Sequence, residues 1–112
     1  MPLDPQELLP LHPLSFEILL LLLDGPAHAY LIVKQLAEQS PTGQLVMPAN
    51  LYRRIRDMLE QELIAERPVH DDPRRRREFR ITPLGKRVAQ AEARRLQGAL
   101  ALARSKGLLR NA

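Results

Sequence analysis

The sequence predicts a mainly α domain of the α+β class: three helices, a two-stranded hairpin and a long final helix. Three observations predict it. Ten prolines leave four long proline-free stretches, 14–25, 27–40, 49–67 and 84–112, and proline is excluded from helix interiors. Within these stretches apolar residues recur at three- and four-residue spacing, the period of an amphipathic helix. Between the third and the fourth lie two short segments that read as strands, flanking a run of arginines.

Composition bounds the rest. A chain of 112 residues is one small domain. Aromatics are 4% of it, with no Trp, so leucine has to build the core. The longest aliphatic run, Ile18 to Leu23, is far short of the ~20 residues of a membrane span. The start, Met-Pro-Leu-Asp-Pro, lacks the basic then apolar order of a signal peptide. The absence of Cys excludes disulfides, thiolate metal sites and cysteine nucleophiles, and it fits a cytoplasmic protein.

Each element has its own signal. Residues 1–12 form a Pro-rich lead. The first helix follows, with Ser15 as its expected cap and Asp24-Gly25-Pro26 as its stop. It is apolar all the way round, so it must be covered on more than one side; one small domain supplies one core, and a partner subunit would supply the second side. The second helix runs from Ala27 to about Gln39, with Tyr30, Val33, Leu36 and Ala37 as its apolar stripe. Ser40-Pro41-Thr42-Gly43 breaks the chain. The third helix runs from Pro48 to about Glu62 and buries Leu51, Ile55, Met58 and Leu59. Residues 63–69 and 78–82 form the hairpin, with Arg74, Arg75, Arg76 and Arg77 at or beside its tip. Thr82 caps a last helix that starts at Pro83 and reaches Lys106, about 36 Å at 1.5 Å per residue. Gly85 and Gly98 weaken that helix, and packing, most simply in a dimer interface, must compensate. A tail, 107–112, ends the chain.

Charge points to a partner. Residues 1–50 hold one base, Lys34, against five acids, whereas residues 51–112 hold 16 bases against eight acids. Fourteen of the 17 bases are Arg, whose planar fork suits phosphate and guanine. Three of them, Arg53, Arg54 and Arg56, lie in the first half of the third helix, where the helix dipole disfavours cations.

Helix, helix, helix, strand, basic loop, strand, long helix is the order of a winged helix-turn-helix with an added helix. Residues 13–82 would form that domain and residues 83–106 a dimerisation helix. In such folds the third helix enters the major groove of double-stranded DNA. Ala49, Asn50, Tyr52, Arg53, Arg54 and Arg56 would then face DNA, joined by Lys34 on the second helix and Arg74–Arg77 on the wing. Asn50 reads either as a partner for adenine or as a helix-start residue bonding its own backbone. Tyr52 reads either as a phosphate-facing hydroxyl or as a core ring, and His28 as a packing residue or a phosphate contact. Leu19, Leu22 and Leu23 of the first helix, with Leu96, Leu100 and Ala103 of the last, are the expected dimer interface.

Enzyme chemistry finds no support. His12, His28 and His70 lie in three different segments, and no Ser–His–Asp order or Gly-rich phosphate loop appears. No metal site and no cofactor are expected; turn chemistry accounts for His70-Asp71-Asp72. The rival to a DNA reader is a winged-helix adaptor whose arginines meet an acidic protein. RNA binding lacks exposed aromatic platforms.

Four pieces, in order, resemble the PadR-type transcriptional regulators. They are Leu14-Ser15-Phe16-Glu17-Ile18-Leu19, Gly25-Pro26-Ala27-His28-Ala29-Tyr30, Pro48-Ala49-Asn50-Leu51-Tyr52-Arg53 and Arg75-Arg76-Arg77-Glu78-Phe79-Arg80-Ile81-Thr82-Pro83-Leu84-Gly85. Leu63-Ile64 after the third helix belongs with them. The resemblance implies a homodimer that binds a palindromic operator, usually to repress, and in some members a small-molecule effector near the dimer interface. The chain departs from the family pattern at Ala29 and Glu62, each in place of Gly, and at Asn50, in place of Thr or Ser.

Overall fold

The computed structural model describes residues 4–39, 48–68 and 77–109. The expected turn at 40–43, Met47, His70–Asp72 and Arg74–Arg76 lie outside the described residues. The elements are a 3-10 turn (Pro5–Leu8), α1 (Pro13–Leu22), β1 (Ala27–His28), α2 (Ala29–Gln39), α3 (Pro48–Glu60), β2 (Ile64–Pro68), β3 (Arg77–Ile81) and α4 (Pro83–Ser105). This is the winged helix-turn-helix arrangement, mainly α, with a small antiparallel sheet.

The start of α1 differs from the expected one. Ser15 is not the cap; it is buried in the first turn. The cap is His12, whose Nδ1 accepts from the Leu14 N–H at 3.1 Å, with Pro13 in the first helical position. Proline has no N–H to satisfy there. Leu14, Ile18, Leu19 and Leu22 are buried. Ile18 and Leu19 are fully enclosed, each stabilising the fold by roughly 1.5–3 kcal/mol. Leu19 and Leu22 are therefore core residues of their own chain, not a surface for a partner as expected. The core takes that side of the all-apolar helix, while Leu20 and Leu23 stay exposed.

The sheet has three strands, not two, in the order β1-β3-β2. Ala27 pairs with Phe79 and His28 with Glu78. Two residues are too few to show alternation, so the sequence reading extended α2 over them. With α2 starting at Ala29, its buried side is Ile32 and Leu36, with Val33 half-buried. Tyr30 and Ala37, expected in the stripe, are exposed.

α3 buries Leu51, Ile55 and Met58 against α1 and β2. It ends at Glu60, two residues before the expected end. The Leu63 N–H donates to the Met58 carbonyl at 2.9 Å, and the Glu62 N–H to the Leu59 carbonyl at 3.1 Å. These two bonds make a Schellman stop, which needs a left-handed residue at its C′ position. Glu62 takes that position, with φ of 60°. It fills the role usually given to Gly, at a cost of about 1 kcal/mol. α4 ends in the same way, with Gly107 at φ 81° and the Leu108 N–H donating to the Ala103 carbonyl at 3.0 Å.

β2 and β3 alternate as paired strands should. Ile64 faces Ile81, Glu66 faces Phe79, and Arg67 faces Glu78. Thr82 then caps α4 by accepting from the Gly85 N–H at 3.0 Å, as expected. The compensation for Gly85 is internal: a Cβ there would lie 2.1 Å from the Leu63 carbonyl oxygen. The helix can approach that carbonyl only because the side chain is missing. The 3-10 turn packs on α4 and covers it from the N-terminal side.

Two predictions follow from these contacts. Gly85→Ala forces α4 away from Leu63 and should cost more than about 2 kcal/mol in urea unfolding; unchanged stability would show that the close approach does not exist in solution. Burial first, then the charge of Arg54, hold the His12 imidazole below its ordinary pKa. The unfolded chain therefore takes the proton first as pH falls. Stability should drop below about pH 6.5 and keep dropping until His12 is protonated in the folded state. His12→Asn keeps a capping oxygen without titrating, so its stability should lose less between pH 7.5 and 5.5. Equal losses in both proteins would remove His12 from the account.

Candidate nucleic-acid interface

α3 turns at about 100° per residue. With Leu51, Ile55 and Met58 inward, Ala49, Arg53 and Arg56 come out opposite, and Asn50 and Tyr52 fall on the two flanks. All five are exposed, so one helix brings together five of the six residues expected on it. Tyr52 is half exposed, which excludes the core-ring reading. Arg53 and Arg56 have no acidic partner among the described residues.

Arg54 departs from the expectation. It sits beside the buried sector, and its Nη2 lies 2.9 Å from Asp57 Oδ2, one turn on. Its guanidinium lines a cavity of about 640 Å³ with Leu8, Pro10, Leu11, His12, Ser15, Asp57, Glu60 and Gln61. It faces the lead and the start of α1, away from the side on which Arg53 and Arg56 stand. Three arginines close together in sequence are thus split between two faces by the helix period.

Lys34 is exposed on α2. Of the wing arginines only Arg77 is described, and it opens β3. Its Nη1 contacts Glu66 Oε1 at 2.5 Å, and Arg67 Nη2 contacts Glu78 Oε1 at 3.1 Å. The wing stem is therefore charge-paired across its strands. Its guanidinium groups remain largely exposed, and exposed pairs of this kind contribute little to stability.

The expected interface residues outside the core are Leu23 and Leu100, each about half exposed, with Leu96 and Ala103 partly buried. Leu20, Leu102, Leu108 and Leu109 add to this surface and were not among the expected residues. Their signals were the all-apolar α1 for Leu20, the near-continuous apolar run of α4 for Leu102, and the leucines after Gly107. Tyr30, 74% exposed, was also missed; its spacing with Val33 placed it in a core stripe, and no sequence signal contradicts that. Among the described residues no helix is long and apolar enough to cross a membrane.

The comparisons agree with this architecture. No curated protein matches the chain. A PadR family transcription regulator from Clostridium difficile R20291 superposes with a TM-score of 0.74 at 17% identity, over 84% of this chain and 97% of that one. A transcriptional regulator from Clostridium thermocellum gives 0.73 at 20% identity, over 82% and 87%. Bacillus subtilis PadR, solved in complex with operator DNA, gives 0.65 at 19% identity, over 73% of this chain and 46% of that one. At such identities the likeness shows the fold. Residues 18–91 match the PadR-like transcriptional regulator family directly. The match spans α3, the wing and the first turns of α4, and the chain belongs to the PadR-like family of transcriptional regulators.

Proposed function

We propose that this regulator binds double-stranded DNA sequence-specifically as a homodimer, acting as a cytoplasmic repressor on a palindromic operator. The observation that carries the reading is the outer face of α3, where Arg53 and Arg56 stand exposed beside Asn50 and Tyr52. A cation on such a helix without a protein counter-ion is suited to phosphate or to guanine. The operator complex of Bacillus subtilis PadR supports the assignment by analogy of fold.

The dimer part rests on α4. From Ala93 onward the helix is exposed except for Leu96 and Ala103. A helix carrying Leu100 and Leu102 into water gains no tertiary packing, and isolated helical segments of this length are marginal. A second copy would cover them. A small-molecule effector also has a place in this reading: the cavity under Arg54 reaches the inner flank of α3. The reading assigns the chain no catalysis, cofactor or metal.

Fluorescence anisotropy on DNA from upstream of its own gene, against a scrambled duplex at two salt concentrations, tests the reading. Specific binding with a slope of about −0.9 per phosphate contact in log K against log salt is expected. Equal weak binding to both duplexes with a shallow slope would favour the adaptor that recognises an acidic protein.

The two arginine faces should separate in this assay. Arg53→Ala should cost roughly 1–3 kcal/mol of binding, whereas Arg54→Ala, turned away from DNA, should stay within about 0.5 kcal/mol. A loss at Arg54 as large as that at Arg53 would overturn the division of α3.

Leu100→Asp puts a charge into the proposed apolar seam and should yield monomers by light scattering. A variant that remains dimeric would place the interface elsewhere.

A further inference from the structure

α4 carries a charge pattern that the DNA-facing side of α3 does not account for. Its buried residues, Gly85, Val88, Ala89, Ala91 and Glu92, lie on one side. At 3.6 residues per turn, Lys86, Arg87, Arg94 and Arg104 fall on the opposite side, within one sector of about 100°. All four are exposed. Gln90 and Gln97 lie among them and are exposed too. From Arg87 to Arg104 the row is about 25 Å long at 1.5 Å per residue. Lys86 and Arg87 stand near the N-terminus of the helix, where the dipole disfavours cations, and no acid in the first turn offsets them.

The row is uncompensated. Among the described residues none of its four cations has an ion pair. Glu92 is the last acid in the sequence; it is buried, and Arg95 holds it at 2.6 Å. The 3-10 turn that packs on α4 carries Glu7, with Asp4 as its cap. Asp4 accepts from the Gln6 N–H, and neither acid forms an ion pair with the row. The row is also separate from α3. α1 packs on both α3 and α4, and the outer face of each helix is the one turned away from α1, so the two cationic faces look to different sides. The seam of the proposed dimer, Leu96, Leu100 and Ala103, continues the buried side of α4. Pairing two copies there would leave the row outward.

The kind of partner follows from what the row lacks. A protein interface is anchored by aromatic or apolar side chains in pockets, and a helix lying on a membrane inserts an apolar side. No Leu, Ile, Val or aromatic residue falls in the cationic sector, and the apolar side of α4 is turned to the core and the seam. Arginine interleaved with glutamine, without an anchor, suits a phosphate backbone. We propose that this face of α4 is a second, sequence-independent site for double-stranded DNA, so that a dimer seated on its operator through α3 holds another duplex on α4. The proposal rests on the DNA-binding reading given above and adds a second duplex to it. Its contacts are to phosphate, and the site carries no base preference.

The test immobilises the upstream duplex, loads it with the full chain at low salt and measures capture of a labelled scrambled duplex. Wild-type protein should capture it. The triple variant Arg87→Gln, Arg94→Gln, Arg104→Gln should bind the immobilised duplex within about 2-fold of wild type, while its capture of the second falls at least about 10-fold. Circular dichroism and light scattering confirm that the variant is folded and of wild-type size; glutamine keeps the helix propensity of arginine. A wild-type chain that occupies the upstream duplex but captures no second one would overturn the site and leave the role of Arg53 intact, as would equal capture by the variant. A variant that loses upstream binding as Arg53→Ala does would place the row on the operator side and overturn a separate site. Capture of labelled polyglutamate in preference to the duplex, lost in the variant, would overturn it in favour of an acidic protein. If the wild-type chain binds neither duplex in solution, the DNA reading itself has failed and the second site falls with it.

Discussion

The carbonyl of Leu63 is the point on which the rest of the structure depends. The Leu63 N–H closes α3 on Met58, while its oxygen accepts from the Thr82 N–H at 3.1 Å and faces the Thr82 hydroxyl at 3.0 Å. The same hydroxyl lies 2.7 Å from the Glu62 carbonyl and caps α4 through the Gly85 N–H. One residue pair thus joins the end of α3, the base of the wing and the start of α4. Gly85 is there because no Cβ fits against that oxygen. Glu62 bends the chain in the left-handed region so that Leu63 can reach it. The backbone strain at Glu62 is small beside the several bonds it permits. These bonds tie the end of α3 directly to the start of α4. In the proposed dimer, this junction would couple the arrangement of two α4 helices to the spacing of two α3 helices.

The core explains why a chain with so few large side chains still folds. α1 contributes Ile18, Leu19 and Leu22, α3 contributes Leu51, Ile55 and Met58, and Phe79 and Val88 close the cluster from the sheet and from α4. This cluster uses one side of α1 and the first part of α4. Beyond Glu92 it reaches no further, so the second half of α4 keeps its leucines exposed. The apolar excess noticed in the sequence was real, but it was divided differently. Leu19 and Leu22 went to the core, and Leu20, Leu23, Leu100 and Leu102 remained outside.

Much of this was legible because proline and glycine mark boundaries by covalent constraint, which does not depend on tertiary context. Thr82-Pro83 and Gly107 placed both ends of α4 to within a residue. Features set by tertiary contact were not legible. β1 is two residues long and exists because β3 has a free edge to offer. The cap of α1 is an imidazole, a residue outside the usual list of capping side chains. Tyr30 obeys the helical period of a buried residue yet lies outside, in the first turn of a helix whose start moved to Ala29 when Ala27 and His28 joined the sheet. On α3 five of the six expected residues are exposed, while Arg54 lies beside the buried sector. A list of arginines carries no phase, and the phase appears once the buried Leu51, Ile55 and Met58 are known. That phase sends Arg54 to Asp57 and leaves Arg53 outside.

Charge accounting sharpens what the basic half of the chain offers. Arg54 is paired with Asp57, Arg67 with Glu78, Arg77 with Glu66, and Arg95 with the buried Glu92 at 2.6 Å. The Glu92 carboxylate is out of water and needs its partner, so Arg95 belongs to the structure. The stem pairs differ. They are exposed and worth little to the fold. Among the described residues, Arg53 and Arg56 have no ion pair to give up. A polyanion therefore meets a graded surface, with uncompensated cations on the outer face of α3 and lightly held ones on the wing stem. Net charge would have treated all of them alike. On the proposed reading, binding depends first on the unpaired cations of α3 and less on the paired ones of the stem.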